Sequence, residues 1–407
     1  MSNSSCHLVR AAQKRRNLTG WLLPCCLVLF SCCDFAHRNY VGGTLQRRLR
    51  NDRMQTILPR LVRERRATTP RSPDAPKLTS RIYEAKSAED LMVVLEEAAG
   101  APYLNYFHAS AAYVTLAKFY QAGLLPDECA QSPAIMKFQS QVLTMIGKGR
   151  FNAQASANVL RSVAILFGAM PSVIQLLPAL AKVLPLIVRD MTEQELSNGL
   201  WASEKLKDVA PDQVAKIVGA LANQVAVKSE SMIPQALSNS LWSLGQLMEL
   251  VPDDVRKMAP ALAAHIPDKA DKMKPQELAN SLWALVVLQG VLQDVGTIQL
   301  MMKQVMRLTP SVDSRERGLS LPIVAWACAK LGLEDDELLS QVQRLMSAGS
   351  QLSSVPDWGV CALAWSYQIL DQTQQFGEFQ GAVAAEVAKR GLSEADVERS
   401  QKGYAEW

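Results

Sequence analysis

The 407-residue chain is poor in the residues that build catalytic and metal sites. It has four histidines (His7, His37, His108 and His265) and no CxxC pair, so neither a His/carboxylate cluster nor a zinc site is expected. The chain also lacks the phosphate-binding loop G-x-x-x-x-G-K-[ST], a G-x-G-x-x-G turn opening a helix, and the G-x-S-x-G and H-E-x-x-H motifs. We therefore expect no catalytic residue, no metal and no cofactor.

Positive charge is scarce outside the front end of the chain. Residues 1–81 contain 16 of the 43 Lys+Arg and 4 of the 39 Asp+Glu, a net charge of +12, whereas the remainder carries −8. Beyond residue 33 only Cys129, Cys328 and Cys361 remain of the eight cysteines, too scattered for a disulfide framework. This body is typical of a reducing compartment and unlike a strongly cationic nucleic-acid binder.

The front end has the pattern of a targeting segment. In residues 1–33, the basic residues 14–16 precede a short apolar run from Trp21 to Phe30 and a small-residue boundary, which is typical of a signal peptide. Residues 34–81 are rich in arginine and poor in acids, which predicts a disordered, transit-like segment. Together they resemble the bipartite leaders of proteins sent to complex plastids, with Phe35 as the aromatic residue after the apolar run. We favour a plastid; a mitochondrion, or an arginine-rich arm that binds RNA or membrane directly, are the alternatives.

The body repeats at about 40 residues. The strings ELSNGLWA (195–202), ALSNSLWS (236–243) and ELANSLWA (277–284) place Trp201, Trp242 and Trp283 at spacings of 41. Weaker copies hold Trp326 and Trp365, and an earlier copy has Asn158 followed by arginine in the tryptophan position. Residues 108–120 resemble a still more divergent copy. Internal periodicity of this length indicates a repeat architecture.

Each repeat has the pattern of two helices. Leu278, Leu282, Leu285 and Leu288 form one apolar stripe, and Pro234 and Pro275 suit first helical positions. Second helices are expected from Pro211 and Pro252, each followed by Asp. The sequence thus predicts an all-α fold: an α-solenoid of about seven helix-turn-helix repeats over residues 82–390, with a C-terminal tail at 391–407.

The motif Pro-Gln-x-Leu-Ala/Ser-Asn-x-Leu-Trp-Ala/Ser, clearest at 234–243 and 275–284, resembles a known group of helical repeats. It is similar to octotricopeptide-repeat proteins, to the repeats of FAST-kinase-like proteins, and to the repeat domain named after the RNA-editing substrate-binding complex. The resemblance covers roughly residues 82–370. It implies binding of single-stranded organelle RNA in support of its processing, stability or translation. Seventeen residues follow position 390, too few for the RAP domain that ends many members.

Asparagines and a few basic residues are the candidate RNA contacts. The candidates are Asn158, Asn198, Asn239, Asn280, Arg161, Lys205 and Lys274. Asparagine is unfavourable inside a helix, so its recurrence three residues before the tryptophan position calls for a reason. Each amide either contacts a base edge or ligand backbone, or makes a structural hydrogen bond to the adjacent repeat. The lysines, with Lys207 and Lys228 among their neighbours, either contact phosphates or belong to a solvated face.

The tryptophans are interpreted mainly as structural residues. Trp201, Trp242, Trp283, Trp326 and Trp365 lie within apolar helical stripes and are expected to pack between helices. The other interpretation is that they stack on bases.

The most direct expectation is a non-catalytic organellar RNA-binding protein, with other RNA-processing proteins as further partners and no stable membrane insertion after removal of the leader. The net charge of −8 favours an alternative, a scaffold that binds an extended peptide along the same rows.

Overall fold

The computed structural model describes residues 74–349, 351–371 and 375–403. The predicted signal-peptide-like segment at 1–33, and the transit-like segment as far as residue 73, lie outside this part. Throughout the described ranges the ordered elements are helices, with no strand among them, in agreement with the all-α prediction. The helices form two compact units.

Within the described residues, the first unit covers 74–150 and 165–174. Its helices are α1 (Asp74–Glu84), α2 (Ala88–Ala98), α3 (Tyr106–Gln121), α4 (Asp127–Ala130) and α5 (Pro133–Gly147). Helix α1 packs on α2 and α3, and α2 packs on α5. Ser87 caps α2 by accepting the Asp90 N–H at 3.1 Å. Because α1 begins at Asp74, the last eight residues of the predicted disordered segment are helical.

The second unit covers 151–164 and continues from 175. Its first helices in each repeat are α6 (Ala153–Leu166), α8 (Glu193–Leu206), α10 (Pro234–Leu247), α13 (Pro275–Val287), α16 (Ser314–Leu331) and α19 (Asp357–Leu370). The second helices are α7 (Leu177–Ile187), α9 (Pro211–Lys228), α11 (Pro252–Ala263), α15 (Val295–Leu308), α17 (Asp336–Ser347) and α20 (Gly377–Lys389). Short helices α12 (Ile266–Lys269), α14 (Gln289–Leu292), α18 (Gln351–Ser354) and α21 (Glu394–Arg399) complete it.

Local signals set these helix starts where the sequence predicts them. Pro211, Pro234, Pro252 and Pro275 each occupy the first turn of a helix, where the missing N–H has no partner to lose. Thr192 and Glu195 form a capping box: Glu195 Oε2 accepts the Thr192 N–H at 2.8 Å, and Thr192 Oγ1 accepts the Glu195 N–H at 3.3 Å.

Equivalent helices of successive repeats pack on each other. Helix α8 packs on α10, α10 on α13, α13 on α16 and α16 on α19. The second helices α7, α9 and α11 likewise pack in series, and α9, α11 and α15 pack on the first helix of their own repeat. The leucines of the repeat motif are buried at these contacts: Leu196, Leu200, Leu237, Leu241, Leu278 and Leu282 are all 0% exposed. Neighbouring repeats therefore bury one another's apolar faces.

Two further segments have features that the sequence predictions did not include. Part of the tail at 391–407 is helical, since α21 packs on α19 and a 3₁₀ turn at Ser400–Lys402 follows. The helical stretch Pro171–Asp190 is long and apolar enough, by length and composition alone, to cross a membrane. In α7, Leu177, Leu180 and Leu184 are buried, and 44% of the most apolar window of this stretch is buried.

A glycine allows the close approach of α10 and α13. A Cβ at Gly245 would lie 2.7 Å from Cζ3 of Trp283, whose ring is 2% exposed. We expect Gly245→Ala to lower the free energy of unfolding by about 1–3 kcal/mol, because a rigid buried ring must move. Chemical denaturation followed by circular dichroism measures the change.

Gly290→Ala is the matched control, because a Cβ at helical Gly290 meets nothing within 4 Å. Its stability should be unchanged or higher by about 0.5–1 kcal/mol. Equal effects of the two substitutions would contradict the close packing at Trp283.

Candidate functional site

The repeated asparagines and tryptophans lie together on the first helices of the second unit. Each asparagine precedes the tryptophan position by three residues, so the two side chains share one helix face. We call the row formed by Asn158, Arg161, Asn198, Trp201, Asn239, Trp242, Asn280, Trp283, Trp326 and Trp365 the Asn–Trp row. All four asparagines are half-buried. The row thus has a side-chain amide at the same position of four successive repeats.

Trp201 lies between two cations. The guanidinium carbon of Arg161, on α6, is 5.5 Å from the centre of the Trp201 ring, and Lys205 Nζ is 6.0 Å from it. Each cation–π contact contributes about 0.5–1 kcal/mol at an exposed site. Trp201 is half-buried and Lys205 is exposed, so this cluster is open to solvent on one side.

Trp242 and Trp283 are in ring contact. Their centroids are 4.2 Å apart with planes at 39°. Trp242 is half-buried, whereas Trp283 is buried. Along the Asn–Trp row, the tryptophan is therefore partly exposed in the first of these two repeats and buried in the second.

The remaining tryptophans are buried. Trp326 and Trp365 are 2% and 8% exposed, and Trp326 Nε1 donates a hydrogen bond to Gln401 O at 3.3 Å. Packing between helices, the main sequence interpretation, describes Trp283, Trp326 and Trp365 well. Trp201 and Trp242 are half-buried, so part of each side chain is exposed to solvent.

Serines next to the asparagines make hydrogen bonds between repeats. Ser197 Oγ donates to Ala236 O at 3.1 Å, and Ser238 Oγ donates to Glu277 O at 2.9 Å. Among the described residues, the side-chain amides of Asn198 and Asn239 have no hydrogen-bond partner. An inter-repeat hydrogen bond is one of the two roles that the sequence suggests for each asparagine. At these two positions the preceding serine makes that bond instead. The 41-residue spacing of these two serines is the signal in the sequence for this role, which was not predicted.

Several lysines bind neighbouring repeats. Lys207 Nζ donates to Gln246 O at 3.0 Å and to Gln246 Oε1 at 3.1 Å. Lys228 Nζ donates to Met191 O, and Lys269 Nζ donates to Glu230 O at 2.8 Å. These three ammonium groups satisfy carbonyl oxygens at helix ends, which is a structural use of charge.

Lys274 lies apart from the tryptophans. It precedes α13, nine residues or about 13 Å along the helix from Trp283. Its backbone N–H donates to Glu277 Oε2 at 3.0 Å. Burial raises the pKa of Glu277, while this hydrogen bond and the Lys274 charge act in the opposite direction. Of the two candidate lysines, only Lys205 contacts an aromatic side chain of the row.

The buried thiols of Cys328 and Cys361 are not activated as nucleophiles. Burial raises the pKa of Cys328 and of Cys361 to about 12, so both are protonated at neutral pH. Within the described ranges, no three His, Cys, Asp or Glu side chains are grouped to hold a metal ion.

No protein-family model matches the chain, and comparison with curated proteins gives no significant match. Functional conclusions therefore depend on the chemistry of the row itself.

The serine bonds should be visible in stability. Ser238→Ala removes a buried inter-repeat hydrogen bond and should lower the free energy of unfolding by about 1 kcal/mol. Ser281→Ala should leave it unchanged or raise it, because Ser281 Oγ is buried without a partner among the described residues. Denaturant midpoints compare the two variants. A larger loss in Ser281→Ala than in Ser238→Ala would contradict this assignment.

Proposed function

We propose that the protein is a non-catalytic organellar RNA-binding helical-repeat protein, and that its Asn–Trp row contacts single-stranded RNA in support of RNA processing, stability or translation. The observation that carries the proposal is the set of half-buried Asn198 and Asn239 amides. They make no hydrogen bond to another described residue, and they lie on the same helix faces as the partly open Trp201 and Trp242.

Repeat stacking supports an α-solenoid in the second unit. First helices pack in series from α8 to α19, and second helices pack in series from α7 through α9 to α11. Helix starts in the central repeats are 41 residues apart. Such stacking places equivalent side chains of successive repeats in a line. A line of similar groups suits an extended polymer better than a compact small molecule.

The chemistry of the row fits single-stranded RNA. Unstacked bases stack on aromatic and guanidinium planes, which Trp201, Trp242 and Arg161 provide. Asparagine amides both donate and accept, so they suit base edges. Arg161 and Lys205 supply positive charge for phosphates on a body that is otherwise mildly acidic.

A peptide scaffold is the second candidate. The net charge of −8 beyond residue 81 favours it, because non-specific RNA affinity comes largely from Lys and Arg. Amides and aromatic rings in a line also suit the backbone of an extended peptide.

The proposed compartment is a plastid, with a mitochondrion as the alternative. It rests on the leader pattern of residues 1–81 and on the resemblance to organellar repeat proteins.

Substitution of the two asparagines tests RNA binding. In fluorescence anisotropy with labelled single-stranded fragments of organelle transcripts, we expect the full chain to bind with an affinity that falls as salt rises. Asn198→Ala combined with Asn239→Ala should weaken binding at least tenfold. Stability should not fall, because alanine is the better helix residue.

Asn223→Ala is the matched control, since Asn223 is an exposed asparagine on the second helix α9. All variants keep residues 1–73, so any binding by that arginine-rich segment cancels in the comparison. No binding at low salt, or equal affinity of the double variant and the control, would exclude the row as the RNA site.

A further inference from the structure

The C-terminal segment Ser400–Gly403 lies on the Asn–Trp row. After α21 the chain forms a 3₁₀ turn at Ser400–Lys402 that packs on α19. Ser400 is buried, and its Oγ donates to Val397 O at 2.6 Å. Gln401 O accepts the indole N–H of Trp326 at 3.3 Å. The segment is therefore held to the row by a specific polar contact.

Gly403 places backbone against two tryptophan rings. It has φ +92°, a conformation that side-chain-bearing residues rarely adopt. A Cβ there would overlap Nε1 of Trp283 and would lie 3.3 Å from Cζ2 of Trp326. Both rings are 2% exposed. Only a residue without a side chain fits this position.

The covered and open parts of the row are continuous. Trp283, beneath Gly403, is in ring contact with the half-buried Trp242 at 4.2 Å. Further along, Trp201 contacts Arg161 and Lys205. Three planar groups of the row are thus partly exposed to solvent: Arg161, Trp201 and Trp242. The next two, Trp283 and Trp326, are covered by the C-terminal segment.

We propose that Ser400–Gly403 occupies the continuation of the RNA site, so that it limits the bound strand to the repeats of Arg161, Trp201 and Trp242. The inference rests on the proposed function and defines the extent and regulation of that site. At one base per repeat, the row binds about three bases while the C-terminal segment is in place. Release of the segment opens two more positions and lengthens the site to about five.

Gly403→Ala in the full chain tests the proposal, because a Cβ at this φ cannot remain between the two rings. Gly123→Ala is the control: Gly123 has φ +71°, and a Cβ there meets nothing within 4 Å. Without RNA, acrylamide should quench more of the tryptophan fluorescence in Gly403→Ala than in the control. Binding of labelled oligouridines of three to ten nucleotides then gives the length at which affinity stops rising.

We expect that length to increase by about two nucleotides in Gly403→Ala, with affinity for the longest oligouridines about tenfold higher than in the control. Increased quenching with unchanged length dependence would overturn the inference while leaving RNA binding in place. If Gly403→Ala does not increase quenching, deletion of residues 400–407 removes the segment, and an unchanged length dependence there overturns the inference equally. No binding by any variant at low salt would instead reject the proposed function, and the inference with it.

Discussion

Close packing in series of the first helices from α8 to α19 is the constraint on which the second unit depends. It requires buried leucines at the contact and small residues where backbones approach, as at Gly245 against Trp283. Once helices α8, α10 and α13 are packed together, every residue of the motif has a fixed environment. Asparagine and tryptophan then recur on the same face because their helices cannot rotate without exposing the leucines.

The repeat motif divides its tasks among adjacent residues. Leu196 and Leu200 fill the core, and Ser197 donates a hydrogen bond to the next repeat. Asn198 has an amide without a partner among the described residues, next to a tryptophan of intermediate exposure. Asparagine costs helix stability at this position, and we propose that a bound ligand accounts for its presence. The candidate site is therefore part of the motif that makes the fold.

Local signals explain why much of the fold could be predicted. The prolines at 234 and 275 and the Thr192–Glu195 capping box fix helix starts through contacts within a few residues. The repeat pattern does not predict which residues far apart in the chain are in contact. Asparagine and serine are both plausible donors to the next repeat, and only coordinates distinguish Ser238 from Asn239. Likewise, coverage of Trp326 by Gln401 joins residues 75 positions apart, for which a 41-residue period contains no signal.

Ultraviolet cross-linking of bound single-stranded RNA, with the modified peptides sequenced by mass spectrometry, tests the central claim most directly. The account predicts cross-links on first helices α8 and α10, at or beside Trp201 and Trp242. Cross-links confined to the second helices, or to residues 1–73, would contradict it, because the bound strand would then lie away from the line of amides and aromatic rings.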